Sequence, residues 1–162
     1  MLALINLVAL AQAIGQTPPP GAWSLETPKA APAVFTYAES AGPIVQMTCQ
    51  PASGQVVFQV AMQRRVATKK SGVIWTNAIG LPAPWPASVT LNSGGTASTL
   101  RGEVDANSDS GASRAVVEAS TKAPFFRVFA KTGVLAFTIM GETVGPAPAN
   151  PGDVRKFLRV CG

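Results

Sequence analysis

The feature that most constrains the fold is a pair of alternating apolar segments, residues 44–49 and 55–62, joined by a Pro-Ala-Ser-Gly sequence. Val45, Met47 and Cys49 alternate with polar residues in the first segment, and the second segment alternates in the same way. A period of two places one set of side chains on a packed face and the other set in water, as in antiparallel sheets. The two segments therefore predict a β-hairpin with Cys49 on its packed face.

The remaining chain continues this pattern of short apolar runs and turns. Hydrophobic residues make up 47% of the 162 residues and charged residues 13%, a balance that favours a packed core over disorder. The 15 glycines and 14 prolines are scattered between the apolar runs, as is typical of many short strands. Further strands are expected at residues 34–38, 72–77, 88–92, 99–104, 113–119 and 135–139.

Two segments have helical spacing instead. Pro124 opens the first, which carries phenylalanines on one face and ends at Gly133. The second begins at Asn150 and has apolar residues at helical spacing up to Cys161. We therefore expect a mainly β protein, a single antiparallel β-sandwich or partly closed β-barrel, with one short internal helix and a C-terminal helix.

The chain contains two cysteines, Cys49 and Cys161, and both are predicted to face the core. In an exported chain, such a pair most simply forms one disulfide bond. Neither cysteine belongs to a C-x-x-C motif, so a redox-active pair is the weaker alternative. The sequence therefore predicts a structural Cys49–Cys161 bridge.

The N-terminal third divides into three parts. Residues 1–13 are apolar and end in Ala-Gln-Ala, which resembles a signal-peptide cleavage site, although no Lys or Arg precedes the apolar run. Residues 14–33 are rich in proline and predict a linker or arm, with Trp23 as its anchor. Residues 34–162 are expected to form the single β-rich domain, so the mature chain would be periplasmic or secreted and have no transmembrane span.

A basic segment is the first candidate binding site. Arg64, Arg65, Lys69 and Lys70 lie within seven residues and could bind an anionic surface. The alternative is a solvated loop that keeps the protein soluble. No aromatic residue lies among these cations, so no nucleic-acid partner is expected. Trp85, in a proline-rich loop, is a second candidate contact, although a tryptophan in such a position more often closes one end of a β-domain.

A calcium-loop-like pattern lies further along the chain. Asp105, Asn107 and Asp109 supply oxygen atoms at alternate positions, as in the first half of a calcium-binding loop. The pattern then fails, because Ser110 replaces the turn glycine and Val116 occupies the position of the bidentate glutamate. A hairpin loop explains the same residues, so neither a metal nor a cofactor is predicted.

Catalytic patterns are weak. Histidine is absent, which removes the most common general base and metal ligand. Ser120 and Lys122 form a short Ser-x-Lys pattern, and Glu103 and Asp105 share the predicted solvent face of one strand. A histidine-free hydrolase is therefore the least favoured of the possible functions, and the balance is against an enzyme.

The order of elements resembles that of small exported β-rich proteins of Gram-negative bacteria. The residues that carry the resemblance are Ile-Val-Gln-Met-Thr-Cys at 44–49, Ser-Gly-Gln-Val-Val-Phe at 53–58 and the C-terminal segment 151–161. The resemblance implies a periplasmic β-domain with a disulfide, and it implies no activity and no site residues.

Two functional hypotheses follow. The first is a non-catalytic cell-envelope protein that binds another envelope protein or an anionic surface. The second is a carrier that holds a small apolar ligand inside a barrel, lined by Val45, Met47, Phe58 and Val60. A wide, empty interior would favour the carrier, and a filled core with an exposed basic or aromatic patch would favour the binding protein.

Overall fold

The fold is a curled antiparallel sheet of nine strands with two helices and a separate two-stranded sheet. It is seen in a computed structural model that describes residues 21–29 and 31–162. The predicted signal peptide, residues 1–13, and the first part of the predicted arm lie outside the described residues. The mainly β class and both helices are confirmed.

The elements follow the chain in this order. The strands are β1 (Ala22–Glu26), β2 (Ala33–Glu39), β3 (Gly42–Cys49), β4 (Gln55–Ala61), β5 (Lys69–Ser71), β6 (Ile74–Thr76), β7 (Trp85–Ser93), β8 (Thr96–Ala106), β9 (Ser113–Ser120), β10 (Ala136–Ile139) and β11 (Glu142–Val144). The helices are α1 (Pro124–Thr132) and α2 (Pro151–Cys161).

The large sheet is a half-barrel, one of the two architectures expected from the sequence. Its strands are ordered β1-β2-β3-β4-β9-β8-β7-β10-β11, and each neighbouring pair is antiparallel. The predicted hairpin is β3 and β4, with Val45 opposite Val60 and Met47 opposite Phe58. These four side chains are fully buried, so the alternating pattern identified the packed face correctly.

Phenylalanine rings fill the inside of the curl. Phe58 on β4 lies 5.7 Å from Phe137 on β10, between ring centroids, although the two strands are far apart in the sheet order. Phe125 and Phe126 of α1 pack against Phe58 at 6.2 and 5.8 Å. Phe157 of α2 packs against β2. The amphipathic helices therefore supply the second layer that a single curved sheet needs to bury its apolar face.

Part of the predicted arm, residues 14–33, is a strand of this sheet. Residues 22–26 form edge strand β1, which pairs with β2 along its whole length. Trp23 explains the pairing, because its ring packs 4.6 Å from Phe35 and 6.3 Å from Phe129. Its indole N–H donates to the carbonyl of Ala147, which follows β11 at the opposite edge of the sheet.

The two helices begin and end as the sequence indicates. Asn150 accepts a hydrogen bond from the Gly152 amide at 2.7 Å and so caps α2, whose first residue is Pro151. Gly133 ends α1 in the left-handed conformation with φ at 70°. A side chain at Gly133 would also collide with the backbone of Ala149, so both backbone conformation and space favour glycine there.

Candidate binding surface

The predicted disulfide joins Cys49 at the end of β3 to Cys161 at the end of α2, across 112 residues. The two Cα atoms are 5.6 Å apart, a separation usual for a disulfide. Both cysteines lie in the core cluster, as expected. The bridge is consistent with a compartment outside the cytoplasm, where disulfides persist.

The turn between β3 and β4 reinforces this connection. Its amides at Ala52 and Gly54 donate to the carbonyls of Val160 and Cys161 at 2.8 and 2.7 Å. Carbonyls at the C-terminal end of a helix have no partners within the helix, so the turn satisfies two of them. We call this arrangement of residues 49–54 with Val160 and Cys161 the disulfide clasp. The clasp fixes the C-terminal end of α2 to the turn between β3 and β4.

The cations of the basic segment lie in and before the small sheet of β5 and β6. Arg64, Arg65, Lys69 and Lys70 are all exposed. Lys70 pairs with Trp75 across the small sheet, and the two strands are joined by a two-residue turn of Gly72 and Val73. We call residues 64–81, which include this sheet and the loop after it, the basic platform.

Trp75 attaches the platform to the body of the protein. Its indole N–H donates to the Ser108 carbonyl at 3.0 Å, in the loop between β8 and β9. The guanidinium carbon of Arg65 lies 5.0 Å from the centre of the Trp75 ring, and Nζ of Lys70 lies 5.4 Å from it. Both distances are typical of cation–π contacts. Arg65 also donates to the Ser110 carbonyl at 2.7 Å.

The role of Trp75 was missed in the sequence, where no aromatic residue lies among the four cations. The sequence did contain a signal, the glycine at residue 72. A two-residue turn of Gly72 and Val73 places Lys70 directly opposite Trp75 in the hairpin. An aromatic residue and cations therefore do lie together, brought there by strand pairing. The Trp75 ring lies against two protein cations, Arg65 and Lys70.

The calcium-like segment is the loop on which the platform rests. The side-chain oxygen of Asn107 accepts hydrogen bonds from the backbone amides of Asp109 and Ser110 at 3.0 and 2.9 Å. Asp105 accepts from the amide of Ala106 at 2.8 Å. These bonds are those of an Asx-type turn, the hairpin-loop alternative. Among the described residues, no cluster of three or more acidic or cysteine side chains is placed to hold a metal ion.

A second anchor fixes the entrance to the platform. The carboxylate of Glu142, on β11, accepts hydrogen bonds from the amides of Gln63 and Arg64 at 2.7 and 2.9 Å. Arg64 in turn donates to the Met140 carbonyl at 3.1 Å. A carbonyl is neutral, so this bond orients the guanidinium without cancelling its charge.

Exposed aliphatic side chains concentrate on the platform. Val73 is 82% exposed and Ile79 is 79% exposed, and Ile74 and Leu81 are each 54% exposed. Elsewhere in the described residues, the large apolar side chains with comparable exposure are Val134 and Met140, at 44% and 42%. Single exposed apolar residues are ordinary, but a group of four beside lysines indicates an interaction surface.

Trp85 is not part of this surface. It is 5% exposed, and its indole N–H donates to the Leu81 carbonyl at 2.9 Å. The binding role considered for Trp85 is therefore corrected: the side chain is buried in the core cluster at the start of β7. Burial of the large apolar ring stabilises the fold, and the indole N–H keeps a hydrogen-bond partner.

The barrel interior is filled. Val45, Met47, Phe58 and Val60, the residues that would line a carrier cavity, are each fully buried within the core cluster. A groove of about 700 Å³ lies instead on the convex side of the sheet, lined by residues that include Val34, Thr48 and Val57. A filled core with an exposed basic patch is the arrangement expected of the binding protein.

The residues considered for hydrolysis form no enclosed site. Glu103 and Asp105 are exposed on β8, as alternation predicts for the solvent side of the strand. The Ser120 hydroxyl accepts a hydrogen bond from the Lys122 backbone amide at 3.3 Å, while both side chains are exposed. The Ser-x-Lys pattern therefore belongs to the turn before α1.

No described helix has the length and apolar character needed to cross a membrane. Comparisons of the chain with protein-family models, curated proteins and solved structures gave no match. The resemblance to exported proteins of Gram-negative bacteria stays a prediction.

Proposed function

We propose that this protein is a non-catalytic binding protein of the bacterial cell envelope, exported to the periplasm, which attaches to an anionic surface through its basic platform. The disulfide and the signal-like sequence of residues 1–13 support export. The absence of histidine from the sequence supports a non-catalytic role.

One observation carries the proposal. Exposed cations and exposed aliphatic side chains lie side by side in a single segment, with Lys69 and Lys70 on β5 and Val73 and Ile74 immediately after them. Charges confer attraction over distance, and apolar side chains confer affinity at contact. A solvated loop that served only solubility would need the charges but not the aliphatic side chains.

The platform is also held in a fixed conformation. Trp75 connects it to the loop between β8 and β9, and Glu142 fixes its first residues. A surface that is ordered before binding loses less conformational entropy when its partner arrives. The anchoring therefore supports a role in binding as well as in folding.

The test is retention on an anionic polymer, with dextran sulfate beads as the probe. The double variant Lys69→Glu and Lys70→Glu should elute at a clearly lower salt concentration than the wild type, because it replaces two attractive charges with two repulsive ones. The matched control, Lys122→Glu with Lys156→Glu, makes the same change of net charge at exposed lysines outside the platform.

The two double variants separate a local site from general electrostatic attraction. The proposal expects the control to elute close to the wild type. Equal shifts for both variants would show that net charge alone governs retention, and that result would contradict a binding function of the platform. Far-ultraviolet circular dichroism checks that each variant keeps the β fold.

A further inference from the structure

We propose that the anionic surface is a lipid bilayer, and that Val73 and Ile79 insert their side chains into its interface while Lys69 contacts the lipid phosphates. This inference rests on the proposed function and names its partner. It follows from the position of the aliphatic side chains, the orientation of the small sheet and the hydrogen bonding of its backbone.

The most exposed aliphatic side chains lie at the turns. Val73 belongs to the turn between β5 and β6, and Ile79 lies in the loop after β6. Because a strand runs between them, the two turns lie at opposite ends of β6. The residues after Ile79 return beside β6, with Pro82 bridged to Thr76 and the Ala83 amide donating to the Trp75 carbonyl. Together with residues 82–83, the small sheet is thus a short meander of three adjacent segments, and an exposed aliphatic residue lies beyond each end of β6.

One face of this meander points away from the body. Lys70 and Trp75 share the face that is anchored to the loop between β8 and β9, because directly paired residues lie on the same side of a sheet. Lys69 and Ile74 belong to the alternate positions and so lie on the opposite face. A lysine and an isoleucine on the outward face, between two aliphatic turns, suit a flat surface that is anionic outside and apolar beneath.

Several backbone groups of the Ile79 loop have hydrogen-bond partners within the loop. The side-chain oxygen of Asn77 accepts hydrogen bonds from the amides of Ile79 and Leu81 at 3.2 and 2.9 Å. The Asn77 amide donates to the Leu81 carbonyl at 2.9 Å, and the Gly80 amide donates to the Asn77 carbonyl at 3.0 Å. Internal hydrogen bonds lower the cost of moving backbone out of water, so this loop can enter the interface without unfolding.

A bilayer fits these features better than an acidic protein does. The aliphatic residues project from turns, and a protein partner would need pockets of matching shape to receive them. A fluid interface accepts projecting aliphatic side chains without such pockets and supplies phosphate groups for the neighbouring Lys69. Charge complementarity and the projecting shape together favour the lipid surface.

The experiment compares vesicles of phosphatidylglycerol and phosphatidylcholine in equal parts with dextran sulfate beads, which have charge but no apolar layer. The variant Val73→Ser with Ile79→Ser should bind the vesicles at least about tenfold more weakly, because each aliphatic side chain contributes about a factor of ten when buried. Its retention on dextran sulfate should stay within about twofold of the wild type, since all four cations remain. The control Val134→Ser removes an exposed apolar side chain elsewhere and should bind vesicles like the wild type.

Depth of insertion gives a second, independent measurement. In the variants Val73→Trp and Ile79→Trp, the added fluorescence should be quenched by lipids brominated on their acyl chains. The added fluorescence of the variant Val134→Trp should not be quenched by these lipids. Thermal unfolding of every variant should match that of the wild type, because the substituted side chains are exposed.

The outcomes separate the two proposals. Wild-type binding to dextran sulfate without binding to vesicles, or vesicle binding that is insensitive to the Val73 and Ile79 substitutions, would overturn membrane insertion and leave the anionic-surface function standing. Binding to neither probe would contradict both proposals. Vesicle binding that falls with the serine variant, together with quenching at Val73 and Ile79, would support both.

Discussion

The disulfide clasp and the basic platform are both hairpin regions anchored to distant parts of the chain, and they use their apolar side chains in opposite ways. In the clasp, Cys49 and Cys161 are buried and the turn amides bind the end of α2. In the platform, Trp75 anchors one face while Val73 and Ile79 remain in water. The clasp closes the core, and the platform leaves apolar surface open.

The contrast separates apolar side chains that stabilise the fold from exposed apolar side chains that contribute little to its stability. Buried apolar side chains stabilise the fold by leaving water, whereas an exposed valine gains almost nothing on folding. The proposed contact with a membrane would give the exposed aliphatic residues of this anchored element a role outside folding. Substitutions in the two regions should consequently affect different quantities, and the following three predictions test this from the largest effect to the smallest.

Removing the disulfide should have the largest effect on stability. The variant Cys49→Ala with Cys161→Ala should lose about 4 kcal/mol of unfolding free energy, since closing a loop on the order of 100 residues restricts the unfolded chain by about that amount. Urea unfolding of wild type and variant measures the difference. Reducing agent should destabilise the wild type and leave the variant unchanged, and a loss below about 1 kcal/mol would contradict a stabilising clasp.

Replacing Trp75 should loosen the platform more than the whole fold. The variant Trp75→Ala removes one hydrogen bond and two cation–π contacts, which together contribute about 1–2 kcal/mol. Hydrogen exchange at the amides of Thr68 and Ala83, which donate to the platform carbonyls of Thr76 and Trp75, should accelerate by about tenfold. The amides of β3 and β4 serve as the internal control, and equal acceleration there would show that Trp75 stabilises the domain as a whole. Trp75→Phe keeps an aromatic face and should have an intermediate effect.

The smallest effect is expected for the exposed aliphatic residues. Val73→Ser should change the free energy of unfolding by no more than about 0.5 kcal/mol, as is usual for substitutions at exposed positions. Urea unfolding measures this change, and the variant Val45→Ala serves as the comparison. Val45 is fully buried, so its truncation should clearly lower the free energy of unfolding. A large loss for Val73→Ser would show that the platform belongs to the stabilising core.

The sequence allowed much of the fold to be predicted because the relevant signals are local. Alternation identified β3 and β4, and helical spacing identified α1 and α2. The disulfide followed because Cys49 and Cys161 each lie on an apolar face of their own element. The order of strands was not predictable, since the pairing of β4 with β9 depends on contacts between segments far apart in the chain.

The binding surface was only partly predictable for a similar reason. The four cations are adjacent in sequence and were found, but β5, β6 and β11 have three residues each, too few to show a period. The burial of Trp85 and the half-burial of Trp75 depend on what packs against them, and composition around a tryptophan does not reveal that. The exposure of Val73 was likewise hidden, because apolar residues in a strand-like segment are ordinarily expected to be buried.

The contact between Trp23 and Ala147 has a consequence for assembly. A half-barrel has two free edges, and unpaired strand edges are templates on which further chains can add strands and aggregate. Trp23 on β1 donates to a carbonyl just beyond β11, and Glu142 on β11 binds the amides that follow β4. The Trp23 side chain thus joins edge strand β1 to the segment that follows edge strand β11, and in doing so restricts the access of a foreign strand to these edges.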